Sequence, residues 1–265
     1  MLITKEIQPG WIGFDTDTKL TTAVCAALRS YGYRFAVRYL SIGPEPAPGD
    51  LDKDEAQVIT AAGLGLMAVQ HVRFPGWRPV KSLGLSDGAN AVTHALNAGI
   101  IAGVSVWHDL EGVLQPYPAD AIIEYLEAWY DQVRRPAYLP GQYVGANCGL
   151  TGDQLWGLSV TRYWKSASNV PDIPNRGYCM VQSLVLDNGG NEMPVAGISI
   201  DRNVVQKDKL GGLPVMMVDD AAWQRAEERA QAVDVQAGID DVISRLQAIK
   251  TRVAGLVLPV QASAV

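Results

Sequence analysis

Asp109-Leu110-Glu111 closes the apolar run that begins at Ile101 and carries two acids at a spacing of two. Alternate side chains of a β-strand share a face, so Asp109 and Glu111 aim two carboxylates at one spot while Leu110 turns away. A carboxylate pair held at the end of a rigid strand suits acid/base or nucleophilic work on a glycosidic bond. Two further acids end strand-like runs, Asp15 in Trp11-Ile-Gly-Phe-Asp15 and Asp201 in Gly197-Ile-Ser-Ile-Asp201. Four carboxylates around one mouth repel one another. At least one is then expected to keep its proton near neutral pH, as a general acid must. Asp17 reads as an ordinary turn or capping residue.

Polar and aromatic residues near other strand ends suit the same mouth. Tyr39 (beside Arg38), Gln70 (beside His71), Trp107, Tyr143, Trp164 and Gln182 are expected to contact substrate, since flat rings and amides are what a sugar cleft needs. Trp107 lies two residues before Asp109 and is expected to share its inward face. His108 then points outward as a packed histidine, and His94, in mid-helix, reads as structural. With three histidines and no HExxH or clustered His/Cys, no transition-metal site and no cofactor are expected. An oxygen-ligated Mg²⁺ or Ca²⁺ at the acids stays open. There is no GxSxG and no GxGxxG after the first strand.

The elements that position these residues alternate. Strands are predicted at 11–15, 34–40, 65–72, 101–109, 142–146, 162–166, 179–184 and 197–201. Most are apolar or β-branched runs of the kind buried on both faces. Helices are predicted at 18–31, 52–62, 86–98, 118–134 and 151–158, with Asp52 and Ser86 as N-caps and Gly63 and Gly99 as stops. Eight strands with intervening helices indicate an α/β (β/α)8 TIM-type barrel, partly irregular in its second half, where Pro, Gly and Asn replace helical connections. A doubly wound open sheet is the alternative.

The barrel is assigned to residues 1–215 and a C-terminal helical extension, for docking or oligomerisation, to 216–265. In the extension apolar residues recur at threes and fours from Trp223 to Val253. The tail 256–265 reads as a docking strand or a frayed end. The 265 residues carry 48% hydrophobic and 19% charged residues and a net charge of −6. That balance gives no basic field for nucleic acid or an anionic membrane, and no apolar run is long enough to span a bilayer. The N-terminus lacks a basic region followed by an apolar one, so no signal peptide is expected. Cys25, Cys148 and Cys179 read as buried thiols.

Gly13-Phe-Asp15, Arg38-Tyr39, the run Gly65–Gln70, Trp107-His-Asp109-Leu-Glu111-Gly112, Gly141-Gln-Tyr143 and Gly197-Ile-Ser-Ile-Asp201, in this order, resemble the glycoside-hydrolase-like "domain of unknown function 1906" family. More distantly the pattern is similar to the family 25 lysozymes (muramidases). The resemblance spans about 11–214. It implies a barrel that cleaves the β-1,4 bond of peptidoglycan after N-acetylmuramic acid. Glu111 would be the general acid, and Asp109 and Asp201 would orient or stabilise the positive charge developing on the substrate, with help from its N-acetyl group. Asp15 would shape the site. The chain departs from the lysozymes at Met180-Val-Gln182-Ser183, where they carry Trp-Gln-Tyr.

Two readings follow. The first is a cell-wall glycan hydrolase, phage-encoded, made in the host cytoplasm and then released to the wall, or virion-associated. The second is a non-catalytic glycan-binding or phage-particle structural module, attached to phage proteins or to itself through the C-terminal helix. A weaker third reading is a metal-dependent phosphodiesterase, which a chelator would silence.

Overall fold

Eight strands close a barrel in the computed structural model, which describes residues 1–256. They are β2 (Ile12–Thr16), β3 (Phe35–Leu40), β4 (Gly65–Gln70), β5 (Ser105–Leu110), β6 (Leu139–Val144), β7 (Tyr163–Lys165), β8 (Met180–Leu184) and β9 (Asp201–Val205). Their order is β4-β3-β2-β9-β8-β7-β6-β5, and β4 pairs with β5 to close the ring. All neighbours are parallel except β9, which runs antiparallel to both β2 and β8. An edge pair that the sequence pattern did not reveal, β1 (Leu2–Glu6) and β10 (Val215–Asp219), joins at the start of β4 through Met217 and Leu66.

Helices follow the first five barrel strands: α1 (Thr22–Ser30), α2 (Lys53–Ala61), α3 (Lys81–Asn97), α4 (Ala119–Arg134) and the short α5 (Gly152–Trp156). Among the described residues no helix lies between β7 and β9, the irregular half expected from composition. Local chemistry sets several ends. The Asp52 side chain accepts from the Glu55 amide at 2.8 Å, capping α2. Gly63 and Gly99, at φ +78° and +79°, take the left-handed turn that stops α2 and α3.

Ser86 is not an N-cap. Helix α3 starts at Lys81, and Ser86 Oγ donates to the Leu83 carbonyl within it. Gly84 explains the difference. A Cβ there would lie 2.1 Å from the Tyr125 carbonyl oxygen, so this residue, a helix breaker by propensity, is what lets α3 lie against α4.

The last strand also differs from expectation. Residues 197–201 are not a strand. Val195 and Ile198 form a tight bridge, and the strand runs instead from Asp201 to Val205. Asp201 therefore begins a reversed strand rather than ending a forward one, and both placements put it at the same rim. The predicted boundary at 215/216 falls inside β10, which belongs to a first compact unit running to Gln224. A second unit begins at Arg225 and contains most of α6 (Asp220–Leu256). Of the tail 256–265, all beyond Leu256 lies outside the described residues.

Candidate functional site

The C-terminal rim of the parallel strands encloses an open pocket of about 340 Å³, lined by Asp15, Tyr39, Asp109, Glu111 and Asp201 among the residues singled out by sequence. Asp17, His71, Glu192 and Ser199 complete much of its wall. Asp15 and Asp201 face each other as cross-strand partners between β2 and β9. Asp109 closes the inward face of β5, and Glu111 follows at the next inward position, half-buried where Asp109 is buried. The pocket gathers six carboxyl groups from four separate segments of chain.

Two of the acids are held by amides. Gln182 Nε2 donates to both oxygens of Asp15, at 3.1 and 3.2 Å, and to Asp201 Oδ2 at 3.1 Å. Tyr143 Oη donates to Gln182 Oε1 at 2.9 Å, which fixes the amide with its NH₂ toward the acids. Asn203 Nδ2 donates to Asp15 Oδ1 at 2.7 Å, and Tyr39 Oη lies 3.4 Å from Asp15 Oδ2. Tyr39 stacks on His71, with ring centroids 4.4 Å apart, and His71 Nε2 pairs with Asp50 at 2.8 Å. Asn203 escaped the sequence reading. Its spacing of two from Asp201 is the signal that would have found it, had the strand been started at Asp201.

All four expected acids are shifted in one direction. Burial, opposed by the Asn203 hydrogen bond and reinforced by the Asp201 charge, raises Asp15 to about 7. Burial pushes Asp109 well above the carboxylate range, with the charges of Glu111 and Asp15 adding to it. Its Oδ1 is buried with no hydrogen-bond partner, as suits a carboxyl that retains its proton. Burial also raises Glu111 and, with the charge of Glu192, Asp201.

The Asp15 shift has a signed consequence. Its pKa is higher folded than unfolded, so its contribution to stability is full below pH 3.8 and is lost as pH rises through about 7. Carboxyl-carbon NMR of Asp15 is expected to show a midpoint near 7. A midpoint near the ordinary aspartate value would contradict the burial account.

Glu111 owes its position to a glycine. A Cβ on Gly145, just after β6, would lie 2.4 Å from Glu111 Oε2 and 2.6 Å from its Cβ. Gly145→Ala is expected to displace Glu111 from the pocket, and a misplacement near 1 Å lowers any reaction that depends on the group by about 10²-fold. Unchanged turnover in this variant would show that Glu111 is not held where it must be.

Several expected substrate contacts lie elsewhere. Trp107 and Trp164 are buried in the barrel interior, edge to face at 5.7 Å, with the Trp107 ring on Gly141. An eight-stranded barrel must fill its interior with side chains, and these rings do so beneath the mouth. Tyr143 and Gln182 act under the acids rather than in the pocket wall. Gln70 faces outward: its Nε2 donates to the Ser41 and Asp87 carbonyls and its Oε1 accepts from Trp129. Arg38 also faces outward, paired with Glu55 of α2 at 2.7 Å. Adjacent strand residues cannot both face the mouth, and of each pair the inward members are Tyr39 and His71. His108 packs outward against Tyr125 and Trp129, and burial lowers it to about 3. His94 bonds the Gly43 carbonyl. Among the described residues no group of three His, Cys, Asp or Glu side chains is spaced to hold a metal ion.

The model of the family described as "Rv2525c-like, glycoside hydrolase-like domain" matches residues 26–205, a stretch that includes Asp109, Glu111 and Asp201. No curated protein matches the sequence. By fold the chain is similar to the Mycobacterium tuberculosis Tat-secreted protein Rv2525c crystallised with L-tartrate, at 17% identity and TM-score 0.56, covering 76% of this chain and 98% of that one. It is similar to the bacterial lysozyme of Streptomyces coelicolor, at 15% identity and TM-score 0.51, over 74% and 92% of the two chains. It is also similar to the catalytic domain of endolysin ply40 from bacteriophage P40 of Listeria monocytogenes, at 15% identity and TM-score 0.54, over 74% and 93%.

Proposed function

The chain belongs to the Rv2525c-like, glycoside hydrolase-like domain family, and from that membership and its acid-lined mouth we propose that it hydrolyses a cell-wall glycan. The bond is the β-1,4 link of peptidoglycan after N-acetylmuramic acid. One observation carries the reading: Asp15, Asp109, Glu111 and Asp201, from three separate segments, converge on one pocket with every carboxyl raised.

Glu111, the more exposed member of its pair, reaches the glycosidic oxygen and donates the proton that lets the leaving sugar depart. Burial raises its pKa, which favours the protonated form that a general acid needs. Positive charge grows on the sugar ring as the bond breaks, and the ionised carboxylate of Asp201, held by Gln182, stabilises it. Asp109, buried beneath Glu111, keeps the local environment unfavourable to a second negative charge. Asp15, bound by Asn203 and Gln182, shapes the floor. The substrate N-acetyl oxygen assists at the sugar carbon as the bond breaks; water then adds at that carbon, displaces the N-acetyl oxygen and gives its proton to the Glu111 carboxylate, which restores the acid.

The proposal extends to setting. A phage origin, with release to the wall or carriage on the virion, is supported by the likeness to an endolysin domain. The exposed apolar residues of α6 support its use as an attachment arm, to phage structural proteins or to copies of the chain. Incubation with purified peptidoglycan, with and without a chelator, tests the reaction class. New reducing ends formed equally in both are expected, whereas activity lost on chelation would favour metal-dependent chemistry.

A further inference from the structure

Exposed apolar residues of α6 recur at alternating steps of four and three: Val235, Ile239, Val242, Leu246 and Ile249. Val253 and Leu256 continue the steps in sequence. The described members of this series are 47–63% exposed, in a chain whose other long helices bury their apolar faces. A mean step of 3.5 residues differs from the 3.6 of a straight helix and is the period of a left-handed supercoil.

The rest of the helix fits the same register. With Ile239 and Leu246 at heptad position a, Val235, Val242 and Ile249 fall at d. Position f, farthest from the seam, holds Ala237, Ser244 and Thr251. Asp234, Asp240 and Asp241 also sit on the outer side, and Asp241 pairs with Arg245 at 2.9 Å within the helix. Beyond Val233, 68% exposed at position b, the outer face is small and polar, and the inner face is aliphatic.

We propose that α6 assembles with α6 of two further copies of this chain as a three-stranded coiled coil. The residue types select the number of strands. Valine and isoleucine at d disfavour a parallel dimer, and leucine at a followed by isoleucine at d, as in Leu246 and Ile249, shifts preference to trimers or tetramers. Ile243, at position e and 46% exposed, widens the apolar face beyond a two-helix seam. The area is sufficient. Each of these six side chains exposes on the order of 100 Å², so three helices offer about 1,800 Å², within the range of stable specific interfaces. Three barrels in one particle would bind a polymeric glycan with the gain expected of linked sites.

Sedimentation of the full chain at micromolar concentration tests the proposal independently of any activity. A particle of three times the 28.6 kDa chain mass is expected. Ile239→Asp with Leu246→Asp is expected to sediment as a monomer with the barrel's near-ultraviolet circular dichroism intact, and Ser244→Lys to remain trimeric. As a check that needs no destabilising change, Val242→Cys is expected to cross-link between copies on oxidation, and Ser244→Cys not to. A monomeric, dimeric or tetrameric wild type would overturn the proposal. So would a trimer indifferent to the paired aspartates, or cross-linking from position 244.

Discussion

Glu111→Gln is expected to lower the rate of peptidoglycan cleavage about 10³-fold, the typical contribution of a positioned general acid. Glutamine keeps the shape and removes only the transferable proton. The side chain is half-buried, sits over Gly145, is burdened by its own desolvation, and its charge adds to the upward shift of Asp109. Replacing it by a neutral group therefore relieves a repulsion, and the unfolding midpoint is expected to hold or rise at neutral pH. A thousandfold loss is about 4 kcal/mol of transition-state stabilisation, far outside any effect of a small change in fold. Release of reducing ends and turbidity clearing by the variant are the measurements. Clearing equal to that of the wild type would remove Glu111 from the chemistry. Asp17→Asn, altering an exposed acid of the same wall, is the matched control and is expected to change little.

The second large effect concerns Arg38 and Glu55, which the barrel buries completely. The guanidinium donates twice to Glu55, at 2.7 and 3.3 Å, to the Thr16 carbonyl, and to the Gly49 carbonyl at 2.7 Å. Glu55 also accepts the Leu20 amide at 2.7 Å. The pair thus ties together the end of β2, which carries Asp15, the loop after β3 and the start of α2. Removing one partner strands a charge away from water. Glu55→Ala or Arg38→Ala is expected to cost about 3–5 kcal/mol, a large part of the ~5–15 kcal/mol that stabilises a typical domain. Arg38→Met with Glu55→Leu is expected to recover most of the loss, because no charge is then left uncompensated. Urea unfolding of the three variants is the check. Single variants costing under about 1 kcal/mol would show that water reaches the pair.

The residues that sequence placed correctly and those it misplaced divide along one physical line. Strand interiors declare themselves through apolar runs, so β2 to β8 fell near their expected positions, and the spacing of two put Asp109 and Glu111 on one face. Side-chain direction elsewhere depended on parity counted from the right start. Gln70 and Arg38 are polar and near strand ends, but each sits one residue out of phase with the mouth and serves the helix layer instead. The run Gly197-Ile-Ser-Ile looked like a forward strand, whereas the reversed β9 begins where that run ends. Direction is not encoded in a five-residue pattern; it follows from the helix-free connection before it. Trp107 and Trp164 face inward, yet depth along the barrel axis, which decides between filling and binding, has no local signature. The pair β1 and β10 closes across more than two hundred residues of chain, beyond the reach of any periodicity.

The most direct test of the central claim is mass spectrometry of the soluble products released when the wild-type chain digests purified peptidoglycan. The account predicts muropeptides that end in a reducing N-acetylmuramic acid, formed as the β-1,4 bonds are hydrolysed. Intact glycan strands after digestion across the acid to neutral range would contradict it.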